Sequence, residues 1–250
     1  MGHEFELEKE ITVAATPDQV WDAIATGPGV DAWFMGRSEI EAREGGTTSF
    51  TMAGQTELST VTAWEPGKRF AYTGEAGDDG AFMAVEYLIE GRDGGSTTVR
   101  LVHSGILGGD WETEFEAMKT GWDMYLHTLA AYLRHFAGRA STTASGFRPG
   151  VDGPRFWAAV RERFGLGTEV AEGDRVRLSD PELGTVEGVV DYVDLPSFLG
   201  VRTDDALLRF IHSGEHRGSV AVLGHHLYAP GADQETAERG WQNWLGGLPA

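Results

Sequence analysis

His103 is the residue of this chain best placed to do chemistry. It follows Val99 and Leu101 at steps of two, so in an extended segment all three point to one side. An imidazole on an apolar face can hydrogen-bond a ligand or pass protons near neutral pH. It can equally be a core histidine, tied to a backbone carbonyl or to a neighbouring helix. No carboxylate sits at a fixed spacing from His103, which favours the core role. His212, His216, His225 and His226 crowd the last quarter of the chain. Their spacing does not suit a metal ion. His225 and His226 are adjacent in a strand-like run and face opposite ways, while His212 and His216 flank a turn with no carboxylate pattern beside them. The sequence therefore assigns no metal ligand and no catalytic residue.

Other reactive constellations are missing. The chain has no cysteine, which excludes disulfides, thiol catalysis and thiolate metal sites. Gly45-Gly46, Gly94-Gly95 and Gly108-Gly109 fall at hairpin ends, and no Lys-Ser/Thr follows them as a phosphate loop requires. No Ser-His-Asp elbow or paired-carboxylate motif is readable. No cofactor is implied. The remaining polar groups on apolar faces are the phenols of Tyr72, Tyr87 and Tyr125.

The elements that position these groups follow from periodicity. Phe5, Leu7, Ile11 and Val13 mark a first strand. Thr16-Pro17-Asp18-Gln19 is a helix start, with Thr16 as cap, Pro17 at the first position and Gln19 completing a capping box. Val20, Trp21 and Ile24 form the apolar face of that helix. Gly27-Pro28-Gly29 should break it, with a second short helix through Ala32, Trp33 and Phe34. Four or five antiparallel strands come next, separated by turn residues. Phe50 and Met52 share a face, as do Phe70 and Tyr72. Met83, Val85, Tyr87 and Ile89 alternate with Glu86 and Glu90 on the other face and so face inward. Trp111, Phe115, Met118, Trp122, Tyr125, Leu129, Tyr132 and Phe136 recur at steps of three and four, the stripe of one long helix over 111–136.

This order is then repeated. The segment at 115–133, with Gly121-Trp122 inside an apolar helical pattern, returns at 236–248 with Gly240-Trp241. Residues 17–24 (PDQVWDAI) match 153–160 (GPRFWAAV), 44–50 match 172–178, and 59–67 match 187–195. The matched order predicts a tandem duplication. Domains are expected at 1–137 and 151–250, joined by a polar Gly/Ser/Thr-rich linker at 138–150. The second copy is the eroded one. It shows no clear first strand and no second short helix, and its last helix is about three turns shorter. A glycine inside each long helix costs roughly 1 kcal/mol, and its recurrence predicts close approach of helix to sheet.

Composition narrows the partners. The 250 residues hold 39 acidic and 20 basic side chains, a formal net charge of −19. Acidic residues are spread along the chain, so their field repels phosphate backbones and anionic lipid. We expect no nucleic acid and no membrane as partner. The N-terminal residues are acidic, without a basic and apolar leader pattern, and no apolar run reaches 18 residues. A cytoplasmic protein is the expectation.

The first repeat resembles the START/Bet v 1-like (SRPBCC) superfamily, and within it the bacterial branch named after the activator of Hsp90 ATPase. The resemblance rests on 16–24 (TPDQVWDAI) with 31–34 (DAWF), on 61–73 (VTAWEPGKRFAYT), on 95–106 (GSTTVRLVHSGI) and on 121–133 (GWDMYLHTLAAYL). It covers about residues 5–137; the second repeat resembles the family only weakly. It implies an α+β helix-grip fold, an antiparallel sheet wrapped on a long C-terminal helix, here duplicated in tandem. It also implies a cavity between sheet and helix for a small apolar or amphipathic molecule. On this reading the ligand-binding residues are Trp33, Phe50, Met52, Trp64, Tyr72, Val85, Tyr87, Leu101, His103, Met118, Trp122 and Tyr125. Non-catalytic binding is the leading expectation. A polyketide cyclase/aromatase-like enzyme using His103, and a co-chaperone-like protein interaction, are the alternatives the family also implies.

Overall fold

A computed structural model of the chain describes residues 2–77 and 80–248. Met1, Asp78, Asp79, Pro249 and Ala250, the outer ends of the two expected domains among them, lie outside the described residues. The chain divides into two compact units, Met1–Ala140 and Ser141–Ala250.

The first unit opens with β1 (His3–Val13), α1 (Pro17–Ala25) and α2 (Gly27–Asp31). Six strands follow: β2 (Arg37–Ile40), β3 (Thr47–Met52), β4 (Gln55–Glu65), β5 (Arg69–Gly74), β6 (Phe82–Arg92) and β7 (Ser96–Leu107). Helix α3 (Trp111–His135) closes the unit. The strands form one antiparallel sheet in the order β1-β7-β6-β5-β4-β3-β2. At α1 the capping box forms as the sequence indicates, with the Thr16 hydroxyl accepting from Gln19 N–H and the Gln19 side chain accepting from Thr16 N–H. Val20, Ala23 and Ile24 bury its inner face.

The second unit runs β8 (Thr142–Arg148), α4 (Gly153–Phe164), β9 (Arg175–Asp180), β10 (Gly184–Asp194), β11 (Phe198–Arg202), β12 (Ala206–His212), β13 (Ala221–Leu227) and α5 (Gln234–Gly246). Its sheet order is β8-β13-β12-β11-β10-β9. Strand for strand this is the first sheet without β2. Each unit is an antiparallel sheet whose first and last strands pair, carrying a long C-terminal helix. The α+β helix-grip arrangement is therefore present twice in tandem.

Three expectations need correcting. The first helix does end at Ala25 and a second short one follows, but Gly27-Pro28-Gly29 is itself the first turn of α2, with Thr26 as cap, and the helix stops at Asp31, before Ala32, Trp33 and Phe34. The segment expected to be a linker at 138–150 contains β8, the first strand thought to be missing. Its inward positions are Ala144 and Gly146, and a Cβ on Gly146 would lie 2.9 Å from the Leu245 side chain of α5. Close helix packing demands small residues there, and small residues read as linker. Lastly, Gly121 has no neighbour within 4 Å of where its Cβ would be, so no close approach explains it. Gly240 does face one, since its Cβ would come within 2.7 Å of Leu183.

Candidate functional site

The first sheet aligns three side chains in one row. Tyr72 on β5 pairs with Val85 on β6, and Val85 with His103 on β7. Residues in register share a face, so the phenol, the isopropyl group and the imidazole all look toward α3. The neighbouring row holds Phe70, Tyr87 and Leu101.

From α3 comes Trp122, whose indole N–H donates to His103 Nδ1 at 2.8 Å. The acceptor nitrogen cannot carry the proton, so in the neutral ring the hydrogen sits on Nε2. His103 is 7% exposed, and its Nε2 is buried without a hydrogen-bond partner among the described residues. Phe5 closes one side of the ring, edge-on at 5.4 Å. Burial lowers the pKa of His103 to about 4, which keeps the ring neutral at physiological pH. Burial, and then the charge of Glu57, push the Tyr72 phenol up to about 12. Tyr87 is likewise raised by burial. Neither phenol has a hydrogen-bond partner among the described residues.

These groups line a cavity of about 620 Å³, within the usual span of small-molecule sites. Among the residues expected to bind ligand, Trp33, Phe50, Tyr72, Val85, Tyr87, His103 and Trp122 line it. Met52, Trp64, Leu101, Met118 and Tyr125 do not. Leu101 shares the His103 face but is sealed completely. Trp64 is turned to Trp21 and Phe70, with ring centroids at 4.9 and 5.5 Å. Tyr125 is covered by Phe34, stacked on it at 3.9 Å, and Phe34 takes its place in the wall. Met52 ends β3 beside the β3–β4 turn, and Met118 is partly buried on α3. The sequence reading passed over Ile24, Val30, Phe70 and Met83 as lining residues. The strand alternation that marked Tyr72 and Val85 had already placed Phe70 and Met83 on the same face.

Trp33 anchors the α2 end of the wall. It is 1% exposed, and its N–H donates to Ala23 O at 2.9 Å. Nearby, Asp31 accepts from Ser38 N–H, and its pKa is raised to about 6, mainly by burial.

The second unit repeats the central contact. Trp241 on α5 donates to His225 Nδ1 on β13 at 2.9 Å, and burial lowers the pKa of His225 to about 4. Its core, however, is occupied by Phe164, Phe210, Trp241 and Trp244. A cleft of about 430 Å³ in this unit lies elsewhere, between the start of α4 and the β10–β11 and β12–β13 turns. Among the described residues, no cluster of side chains suits a metal ion and no helix is long and apolar enough to cross a membrane.

Residues 14–134 match the family described as activator of Hsp90 ATPase homolog 1-like protein. Over these residues, just under half of the chain, the protein is similar to this family. The match covers the AHSA1-type half from the end of β1 almost to the end of α3, and so spans every element that builds the cavity. Among solved structures, protein MLL2253 from Mesorhizobium loti aligns over 53% of this chain and 98% of its own, at 21% identity and a TM-score of 0.48. BexL, a di-domain ARO/CYC from the BE-7585A biosynthetic pathway, aligns over 97% of this chain and 94% of its own, at 15% identity and a TM-score of 0.48. DynU16, from the dynemicin biosynthetic locus, aligns over 96% and 94%, at 20% identity and a TM-score of 0.46. No curated protein matches the chain.

Proposed function

We propose that the AHSA1-type half binds a small, largely apolar molecule carrying a hydrogen-bond-accepting oxygen or nitrogen, without catalysing its conversion. The observation that carries this reading is the cavity that His103 helps to line, with the imidazole's Nε2–H buried and without a partner among the described residues. Such a donor costs about 1–3 kcal/mol when left unmade, and a ligand acceptor supplies what it lacks. The unpartnered hydroxyls of Tyr72 and Tyr87 lie in the same wall and can orient a second polar group. A histidine with a pKa near 4 is rarely protonated at pH 7 and is a weak base. That supports binding over the cyclase-like alternative. The filled core of the second unit supports a structural role for that half.

Nile red tests the reading, being neutral, planar, apolar and equipped with a ring carbonyl. Its fluorescence should rise and shift to the blue on adding the protein. Val85→Phe, which fills the row between Tyr72 and His103, should abolish the response while circular dichroism stays unchanged. A folded Val85→Phe protein that binds the dye as wild type does would show that the cavity is not the site.

A further inference from the structure

The wall of the cavity is uneven in charge. Glu57 on β4, Glu75 just after β5 and Glu114 in the first turn of α3 all line it, and no Lys or Arg does. All three are exposed, and none forms an ion pair or side-chain hydrogen bond among the described residues. Elsewhere the chain does pair its carboxylates: Glu86 with Arg69, Glu10 with Arg100, Asp123 with Lys9. At the same opening stand the most exposed large apolar side chains, Leu58 at 57% and Met83 at 43%. The opening is thus apolar and anionic, and the same cavity is lined by His103, whose Nε2–H is buried without a partner among the described residues.

We propose that the ligand is a cationic amphiphile. Its apolar, acceptor-bearing end lies against His103, and a protonated amine lies at the rim among Glu57, Glu75 and Glu114. This rests on the cavity-binding reading above and adds the charge of the ligand to it. The physical ground is simple. An ammonium at the mouth gains the attraction of three unpaired carboxylates while keeping part of its water. A carboxylate there meets only repulsion. The influence of Glu57 reaches inward, since its charge adds to the burial that holds the Tyr72 phenol up.

The test uses the full chain and three matched probes, 1-naphthylmethylamine, 1-naphthylmethanol and 1-naphthoic acid, each competing with Nile red. The amine should bind about tenfold or more tighter than the acid, with the alcohol between. The overall charge of −19 attracts cations anyway, so two triple variants of equal charge are compared. Glu57→Gln/Glu75→Gln/Glu114→Gln should remove most of the preference for the amine over the acid. Glu4→Gln/Glu6→Gln/Glu8→Gln changes exposed residues of β1 that alternate with buried Phe5 and Leu7, on the far face of the sheet, and should keep the preference. Equal affinity for amine and acid would overturn the proposal, and so would equal loss of preference in both variants. If Nile red itself does not bind, cavity binding fails first, and the charge proposal falls with it.

Discussion

Trp122 and His103 are locked as donor and acceptor across the sheet–helix interface, 2.8 Å from indole nitrogen to Nδ1. The bond fixes the tautomer and leaves the other ring N–H buried without a partner among the described residues. It therefore belongs to packing and, on the proposed reading, to recognition as well. Trp122→Phe should keep most of the apolar area yet strand the imidazole nitrogen, costing about 1–3 kcal/mol. Trp122→Ala should cost about 3–5 kcal/mol. Urea unfolding of the two variants separates the two contributions. A Trp122→Phe protein as stable as wild type would show that the bond contributes nothing net.

The second unit offers an internal control. Trp241 donates to His225, whereas the indole nitrogen of nearby Trp244 is buried with no partner among the described residues. Trp241→Phe should therefore destabilise more than Trp244→Phe, by about 1–3 kcal/mol. Denaturation of the two single variants measures the difference directly, and the reverse order would contradict it.

Acid should weaken both units. The pKa values of His103 and His225 are depressed to about 4 from an ordinary 6.5. Between those limits the unfolded chain binds more protons. Their stabilisation is full above pH 6.5 and is lost as the pH falls toward 4, on the order of 3 kcal/mol each. Asp31 acts oppositely. Its pKa is raised to about 6, so the ionised form strains the fold at neutral pH and protonation relieves it. Asp31→Asn should then make the loss of stability between pH 7 and 5 steeper. A shallower loss would reverse the sign argued here.

Arg209 is 1% exposed and holds both oxygens of Asp191, at 3.0 and 2.9 Å. Removing one partner leaves a buried charge. Asp191→Ala should cost about 3–5 kcal/mol, and the double variant Arg209→Met/Asp191→Ala should recover much of it. A double-mutant cycle by urea unfolding reads the coupling, and strictly additive losses would argue against it.

Much of the fold was legible because its signals are local. The Thr16–Gln19 capping box and the aromatic stripe of α3 need only a few neighbouring residues to be recognised. Strand parity placed His103, Tyr72 and Val85 on inward faces correctly. Parity does not give register, so the single row made by these three residues could not be read. Nor could the sequence say which of the adjacent His225 and His226 repeats His103; the indole of Trp241 selects His225. Leu101 and Tyr125 have the right faces but are covered by neighbours, and coverage is a property of the packed unit. β8 went unseen because its inward residues are small.

The sheet order has a consequence for biosynthesis. In each half the earliest strand made pairs with the latest: His3 lies opposite Leu107, and Thr142 opposite Leu227. A chain leaving the ribosome therefore carries β1, with Phe5, Leu7 and Val13, for nearly the length of a unit before its neighbour exists. Contacts so distant along the chain slow folding and leave apolar strands open to aggregation meanwhile. The glutamates that alternate with Phe5 and Leu7, namely Glu4, Glu6 and Glu8, give the waiting strand a charged face that discourages pairing with another copy.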